Sequence, residues 1–438
     1  MSTAVPLYGF GGGGGGGTGA TLTVTAPAGV TVTVSKDGKI KTKVADSDGV
    51  AVFKGLSTGV WTVTITDGVD ISTDTVQIDA DYEMEMSFVK IYGIYRDITA
   101  SSPEWAREDN AVGKTAVASV GTVAGSSDFD TCYPWSGIAR ETLDTGDVMV
   151  KIPKFWFRRY REGNIEHIKI AESPADGFSL HPAFNRAGVE KDYLYVGAYK
   201  TSGNNLSVSG ASPTVNKLRN TFRTNAAGKG DGWSLWDIAA LSAIQMLILV
   251  EFATNDVQSA IGRGYCDKTS SGAAIKTGTC DSVANLTGRP AGTDGLVDVV
   301  WRGIEGLWGN VWEWVDGVNW NGGTYYVCND PSQYADDTAT NYTALSFKGA
   351  TNWSSSYITE EGLDTGDNEH VMLPAAAGSG SESTYDCDAC KSSTGWGGFR
   401  RGGDWSNGSV CGLATVGMDK KASDSSSSIG SRLQYIPQ

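Results

Sequence analysis

From Thr21 to Ile78 apolar and polar residues alternate with a period of two. Leu22-Thr23-Val24, Val30-Thr31-Val32-Thr33-Val34, Val50-Ala51-Val52-Phe53, Val60-Trp61-Thr62-Val63-Thr64-Ile65 and Val76-Gln77-Ile78 carry the pattern. Successive side chains on a strand point to opposite faces, so each run predicts a half-buried strand. Asp37-Gly38, Asp48-Gly49 and Asp67-Gly68 fall between the runs. Such pairs favour tight turns because glycine accepts a positive φ without steric cost. Short strands at regular spacing predict a β-sandwich over residues 21–90, with Met84 to Val89 as the strand that leads out of it.

Beyond Ile91 the pattern changes. Thr214 to Asn225 places Val215, Leu218 and Phe222 on one helical face, with Pro213 at the entry. A second helix is expected from Ser234 to Ala253. Ser234 reads as its N-cap, with Asp237 three residues on in the manner of a capping box. That helix is apolar nearly all round, which predicts burial. The remainder reads as short strands and loops, and Asn319 to Lys391, rich in Ser, Thr, Asp, Asn and Gly, as long decorating loops. The fold class is α+β: a β-sandwich, then a domain over 91–438 with two main helices and many short strands and loops.

Composition narrows the function. The 438 residues include 57 Gly and 14 Trp, which suits loop-rich β structure with aromatic packing. Against 35 Lys and Arg stand 50 Asp and Glu, a net charge of −15. No basic stripe is present to neutralise phosphates, which argues against nucleic acid as a partner and against an anionic membrane surface. Met1 to Gly9 lacks the basic and apolar regions of a secretory signal. The longest apolar run, Ala239 to Phe252, is interrupted by Ser242, Gln245 and Glu251 and is too short to insert in a bilayer. The expectation is a soluble protein made in a cytosol, its seven cysteines mostly buried thiols. Residues 1–20 read as an attachment peptide (Pro6, Leu7, Tyr8, Phe10) and a tether of seven glycines, Gly11 to Gly17.

Conventional catalytic sets are absent. The three histidines, 167, 181 and 370, have no nucleophile-elbow motif near them, and the glycine run lacks the Lys-Ser/Thr ending of a phosphate loop. Cys387 and Cys390 have the local spacing of a zinc half-site, but His370, Cys328 and Cys411 are not in motif with them. Asp364 to Glu369 is acidic without the spacing of a calcium loop, and reads as a solvated turn.

Three motifs in order carry a resemblance: Leu307-Trp308-Gly309-Asn310-Val311-Trp312-Glu313-Trp314, then Gly398-Phe399-Arg400-Arg401-Gly402-Gly403-Asp404-Trp405, then Ile429-Gly430-Ser431-Arg432-Leu433. Together they resemble the formylglycine-generating-enzyme branch of the C-type-lectin fold, over roughly Ile91 to Leu433. The sandwich, by pattern, is similar to immunoglobulin-like domains of the carboxypeptidase-regulatory type and would be a spacer. The Trp motif reads as an aromatic core strand. In the enzyme family the matching Glu and nearby carbonyls bind calcium, which would fall on Glu313, Gly309 and Val311; with one carboxylate in view, no metal is assigned. A copper-dependent oxidase of that family needs two cysteines after the Arg-Gly-Gly segment. Their positions are Asn407 and Gly412 here, and Cys411 is one residue off, so no cofactor and no enzyme activity are expected.

The closing segment fits better the variable proteins of diversity-generating retroelements, many of them from phage tails. Those proteins present changeable side chains on a fixed lectin-like frame, and rewriting of adenine-rich codons leaves small polar residues. Asp144 to Trp156 and Gly177 to Phe184 also look like segments common in tail-associated proteins. The resemblance implies a tail-tip or tail-fibre protein of the virion that binds a bacterial surface receptor, protein or glycan. It implies contact with other tail proteins through the N-terminus and a homo-oligomer, a trimer by analogy with tail fibres. The variable region would be 400–433. Candidate ligand-binding residues are Asp404, Trp405, Ser406, Asn407, Ser409, Ala414, Thr415, Gly417, Asp419, Lys420, Asp424, Ser426 and Ser428, with Trp405 as an anchor. A cellular surface adhesin is the other binding alternative.

Overall fold

The computed structural model describes residues 19–438 except 69, 70, 270 and 353. The attachment peptide and glycine run lie outside the described residues. Strands account for 39% of residues and helices for 12%, so the structure is mostly β. No helix among the described residues is long and apolar enough to cross a membrane. The chain divides into two compact units: one runs to Lys90 and includes Ala171–Ser179, and the other comprises Ile91–Ile170 and Leu180–Gln438.

Among its described residues the first unit holds seven strands: β1 (Ala20–Thr25), β2 (Thr31–Lys36), β3 (Lys39–Val44), β4 (Val50–Leu56), β5 (Gly59–Thr66), β6 (Ile71–Ile78) and β7 (Tyr82–Glu85). They form two sheets, ordered β4-β1-β7 and β3-β2-β5-β6. The inward residues of the alternating runs, among them Leu22, Val32, Phe53, Trp61 and Ile65, form one buried cluster. Asp37 and Gly38, both at positive φ, turn β2 into β3. The alternation did not reveal β3. All its residues are exposed, and its Lys39, Lys41 and Lys43 make a charged edge that discourages pairing with another chain. The last strand is also shifted from expectation: β7 ends at Glu85 and pairs in parallel with β1.

In the second unit, α1 (Arg219–Ala227) starts five residues later than the hydrophobic spacing suggested. The central helix, α2 (Ile238–Phe252), is buried on every side from Ile238 to Glu251. Ser234 is not its cap but lies in a short strand, Trp233–Leu235. Asp237 is the N-cap, accepting from the Ala240 N–H at 2.9 Å. Its carboxylate also takes the Arg186 guanidinium (Nη1 to Oδ2, 2.8 Å) and Gln434 Nε2 at 2.9 Å.

A nine-stranded sheet positions the C-terminal segment. Trp312–Asn321 pairs with Trp396–Arg401, which pairs with Val416–Met418, which pairs in parallel with Ala389–Ser392. Ile429–Gly430 adds in parallel to the other side of Trp312–Glu313. Contrary to expectation, the polar stretch from Asn319 to Lys391 contributes strands to this sheet, including Thr324–Val327, Ser356–Glu361 and Pro374–Gly378. Arg432–Tyr435 crosses to a second sheet between Tyr193–Lys200 and Trp233–Leu235.

Candidate functional site

Three adjacent strands build the floor of the site. Lys391, Gly417 and Arg400 are cross-strand partners in one row, with glycine in the middle. Partners in register point to the same face about 4.8 Å apart, so the missing side chain leaves room for its neighbours. Arg400 takes that room: a Cβ at 417 would lie 2.8 Å from the Arg400 Cζ. The guanidinium also stacks on the Trp312 indole, 4.7 Å from the ring centroid.

Above this row lies an open cavity of about 260 Å³. Trp312, Lys391 and Arg400 line it together with residues of the C-terminal segment, Asp404, Asn407, Thr415, Asp419, Lys420, Ser426 and Ser428 among them. Asp419 links the cations: its Oδ1 accepts from Arg400 Nη2 at 2.7 Å and its Oδ2 lies 3.4 Å from Lys391 Nζ. Burial opposes the ionised carboxylate, but Arg400 and then Lys391 outweigh it and hold Asp419 below the usual carboxylate range. Burial lowers the Arg400 affinity for its proton, against the pull of Asp419. A guanidinium is basic enough to stay charged nonetheless.

The other expected ligand residues do not line the cavity. Trp405 is 7% exposed and packs in a small core with Tyr265 and Val311, so it cannot serve as a surface anchor. Gly417 is buried as the seat of Arg400 rather than a changeable surface position. Ser406 is exposed and bonds Asp404 Oδ1 through its hydroxyl at 2.8 Å. Ser409 meets the Tyr357 hydroxyl at 2.9 Å, Ala414 donates its N–H to Asp388 Oδ2 at 2.7 Å, and Asp424 Oδ2 accepts the Lys421 N–H at 2.9 Å. Trp312, Lys391 and Arg400 were not among the expected ligand residues. The Trp motif did suggest an aromatic core, but Trp312 is only half-buried. The one sequence signal for Arg400 was its place beside the Gly-Gly of the second motif.

Beneath the cavity the frame is ionic and sealed. Glu313 meets Lys200 Nζ at 2.8 Å and Arg432 Nη2 at 2.7 Å. Lys200 Nζ also donates to the Gly306 and Val311 carbonyls at 2.8 and 3.0 Å. A lysine ammonium thus occupies the space among the Glu313 carboxylate and the Val311 carbonyl that calcium would take by resemblance to the enzyme family. Burial disfavours the charged Glu313, but Arg432 and Lys200 hold its carboxyl below the usual range. Gly309, at φ 80°, lies against the Tyr265 backbone, where a Cβ would approach within 2.8 Å. This close approach is the reason for glycine in the motif.

All seven cysteines are free and buried. Cys411 donates to the Gly402 carbonyl at 2.8 Å. Burial, with Cys266 beside it, pushes its thiol well above the ordinary range. The linear spacing did not suggest that Cys266, from a distant loop, would be its neighbour. No group of three or more His, Cys, Asp or Glu among the described residues is disposed to hold a metal.

No protein-family model matches the chain, and no curated protein matches it. Among solved structures it is similar to the P3c and U1 variants of the Major Tropism Determinant, each 15% identical with a TM-score of 0.28. The matches cover 87% and 86% of this chain and 82% and 81% of those chains. The I1 variant is 12% identical with a TM-score of 0.29, covering 86% of this chain and 81% of that one. The superposition is loose over the whole length.

Proposed function

We propose that this chain is a phage tail-tip or tail-fibre protein that recognises a bacterial surface receptor through segment 400–433. The observation that supports it is the convergence of that segment's polar side chains on one open cavity, over a frame fixed by Glu313, Lys200 and Arg432. A fixed frame under replaceable polar groups is what a recognition surface requires. In this reading the second unit is lectin-like, the sandwich over 21–90 is an immunoglobulin-like spacer, and residues 1–20 attach to other tail proteins. Copies on one tail, as in a trimer, would multiply a modest single-site affinity.

One observation favours the redox alternative: Cys411 and Cys266 are neighbours. Both are 0% exposed, which denies a substrate thiol access, so binding is preferred. The test is retention of the labelled chain on cells of a bacterial strain panel. Asp404→Ala with Asn407→Ala should abolish retention on the recognised strain, while Lys39→Ala on the exposed β3 should not. Turnover of a cysteine-containing peptide with added copper, without strain-selective retention, would reverse the preference.

A further inference from the structure

Resting on that reading, we infer that the cavity takes the carboxylate of an acidic sugar residue, with Arg400 and Lys391 as its cations. Arg400 is 6% exposed. Asp419 accepts from its Nη2, whereas Nε and Nη1 have no hydrogen-bond partner among the described residues. Buried guanidinium N–H groups without an acceptor are costly, and a carboxylate is the acceptor whose planar geometry suits them. The charge balance points the same way. Lys391, Arg400 and Lys420 line the cavity against Asp404 and Asp419, an excess of one positive charge in a chain of net −15. A locally cationic cavity in an acidic protein selects an anion.

The rest of the lining favours a sugar over an acidic peptide. The Trp312 indole, with Arg400 stacked on it, gives the lining apolar surface that a pyranose ring can contact. Ser426, Ser428 and Asn407 supply hydroxyl and amide groups for its hydroxyls. The cavity, about 260 Å³, is of monosaccharide size rather than a groove for an extended chain. Gly417 is the specificity element, because any side chain there would push Arg400 out of place.

The experiment is calorimetric titration of the full chain with a galacturonic acid tetrasaccharide, its fully methyl-esterified counterpart and a tetraglutamate peptide. Binding of the acid form, weakened at least tenfold by esterification, is the expected result. Arg400→Lys and Lys391→Met should each weaken it at least tenfold with unchanged thermal midpoints. Lys391, with its side chain 40% exposed, is the variant that keeps the test valid should Arg400 be needed for folding. Equal affinity for acid and ester, no binding of the acid, or preference for tetraglutamate each overturns the inference. Strain-selective cell retention that survives Lys391→Met overturns the inference while leaving receptor recognition intact. Acid-sugar binding with no cell retention overturns receptor recognition alone.

Discussion

At the scale of single residues, Gly417 and Glu361 show how burial decides what a position can be. Gly417 falls in the segment expected to vary, yet its absent side chain is what admits Arg400. Gly417→Ala should cost about 1–3 kcal/mol of stability by overpacking, measured by chemical denaturation. Glu361 lies in the interior near Asp386, Arg159 and Arg96. Burial, with Asp386, outweighs the arginines and raises its carboxyl to about 8. A carboxyl raised on folding binds its proton more tightly in the native state. Its contribution is therefore complete below about 4.5 and is lost as the pH rises through about 8. Denaturation at pH 5 and pH 8 should show Glu361→Gln losing less stability across that interval than the parent chain.

At the scale of elements, two buried ionic groups pin the long strand and the central helix. Lys200 and Arg432 are cross-strand partners, and both reach Glu313. Lys200→Met leaves the Arg432–Glu313 pair in place but takes the buried ammonium donor from the Gly306 and Val311 carbonyls, and should cost about 1–3 kcal/mol in denaturant. Because Glu313 is depressed on folding, its contribution holds above its unfolded value and is lost as pH falls through the lower folded one. Acid denaturation should accordingly be less steep in Glu313→Gln. Asp237 serves α2 as cap and Arg186 as counter-ion at once. Asp237→Ala should thus cost about 3–5 kcal/mol, well beyond the roughly 1 kcal/mol of an ordinary cap, in the same measurement.

At the scale of the whole molecule, the expected pattern of natural variation follows from the division between frame and cavity. Sequencing the last forty or so codons across a population should show substitutions at Ser406, Asn407, Lys420, Ser426 and Ser428. Gly417, Arg401, Trp405 and Arg432 should be constant, because they are buried. Uniform sequence throughout would leave the proposed receptor recognition with a fixed specificity. Variation at Trp405 or Gly417 as frequent as at Ser426 would contradict the assignment of those two residues to the frame.

Local pattern alone determined the strands of the first unit other than β3 and the placing of β7, the existence of α2 and its burial, and the three motifs. Alternation and apolar content follow directly from which faces meet water. Ser356–Glu361 and Pro374–Gly378 stayed hidden because backbone pairing holds them without a strictly alternating buried stripe, while β3 alternates Ile40 and Val44 with lysines but exposes both faces. The cap of α2 was misplaced by three residues because Ser234 and Asp237 are both competent caps, and only the strand Trp233–Leu235 settles between them. The candidate segment was legible as polar residues on a glycine frame. Its cavity was not, because Lys391, Arg400 and Trp312 come from separate strands whose register only tertiary pairing sets. Likewise an indole in sequence carries no sign of which side faces solvent: packing buried Trp405 and left Trp312 at the cavity wall.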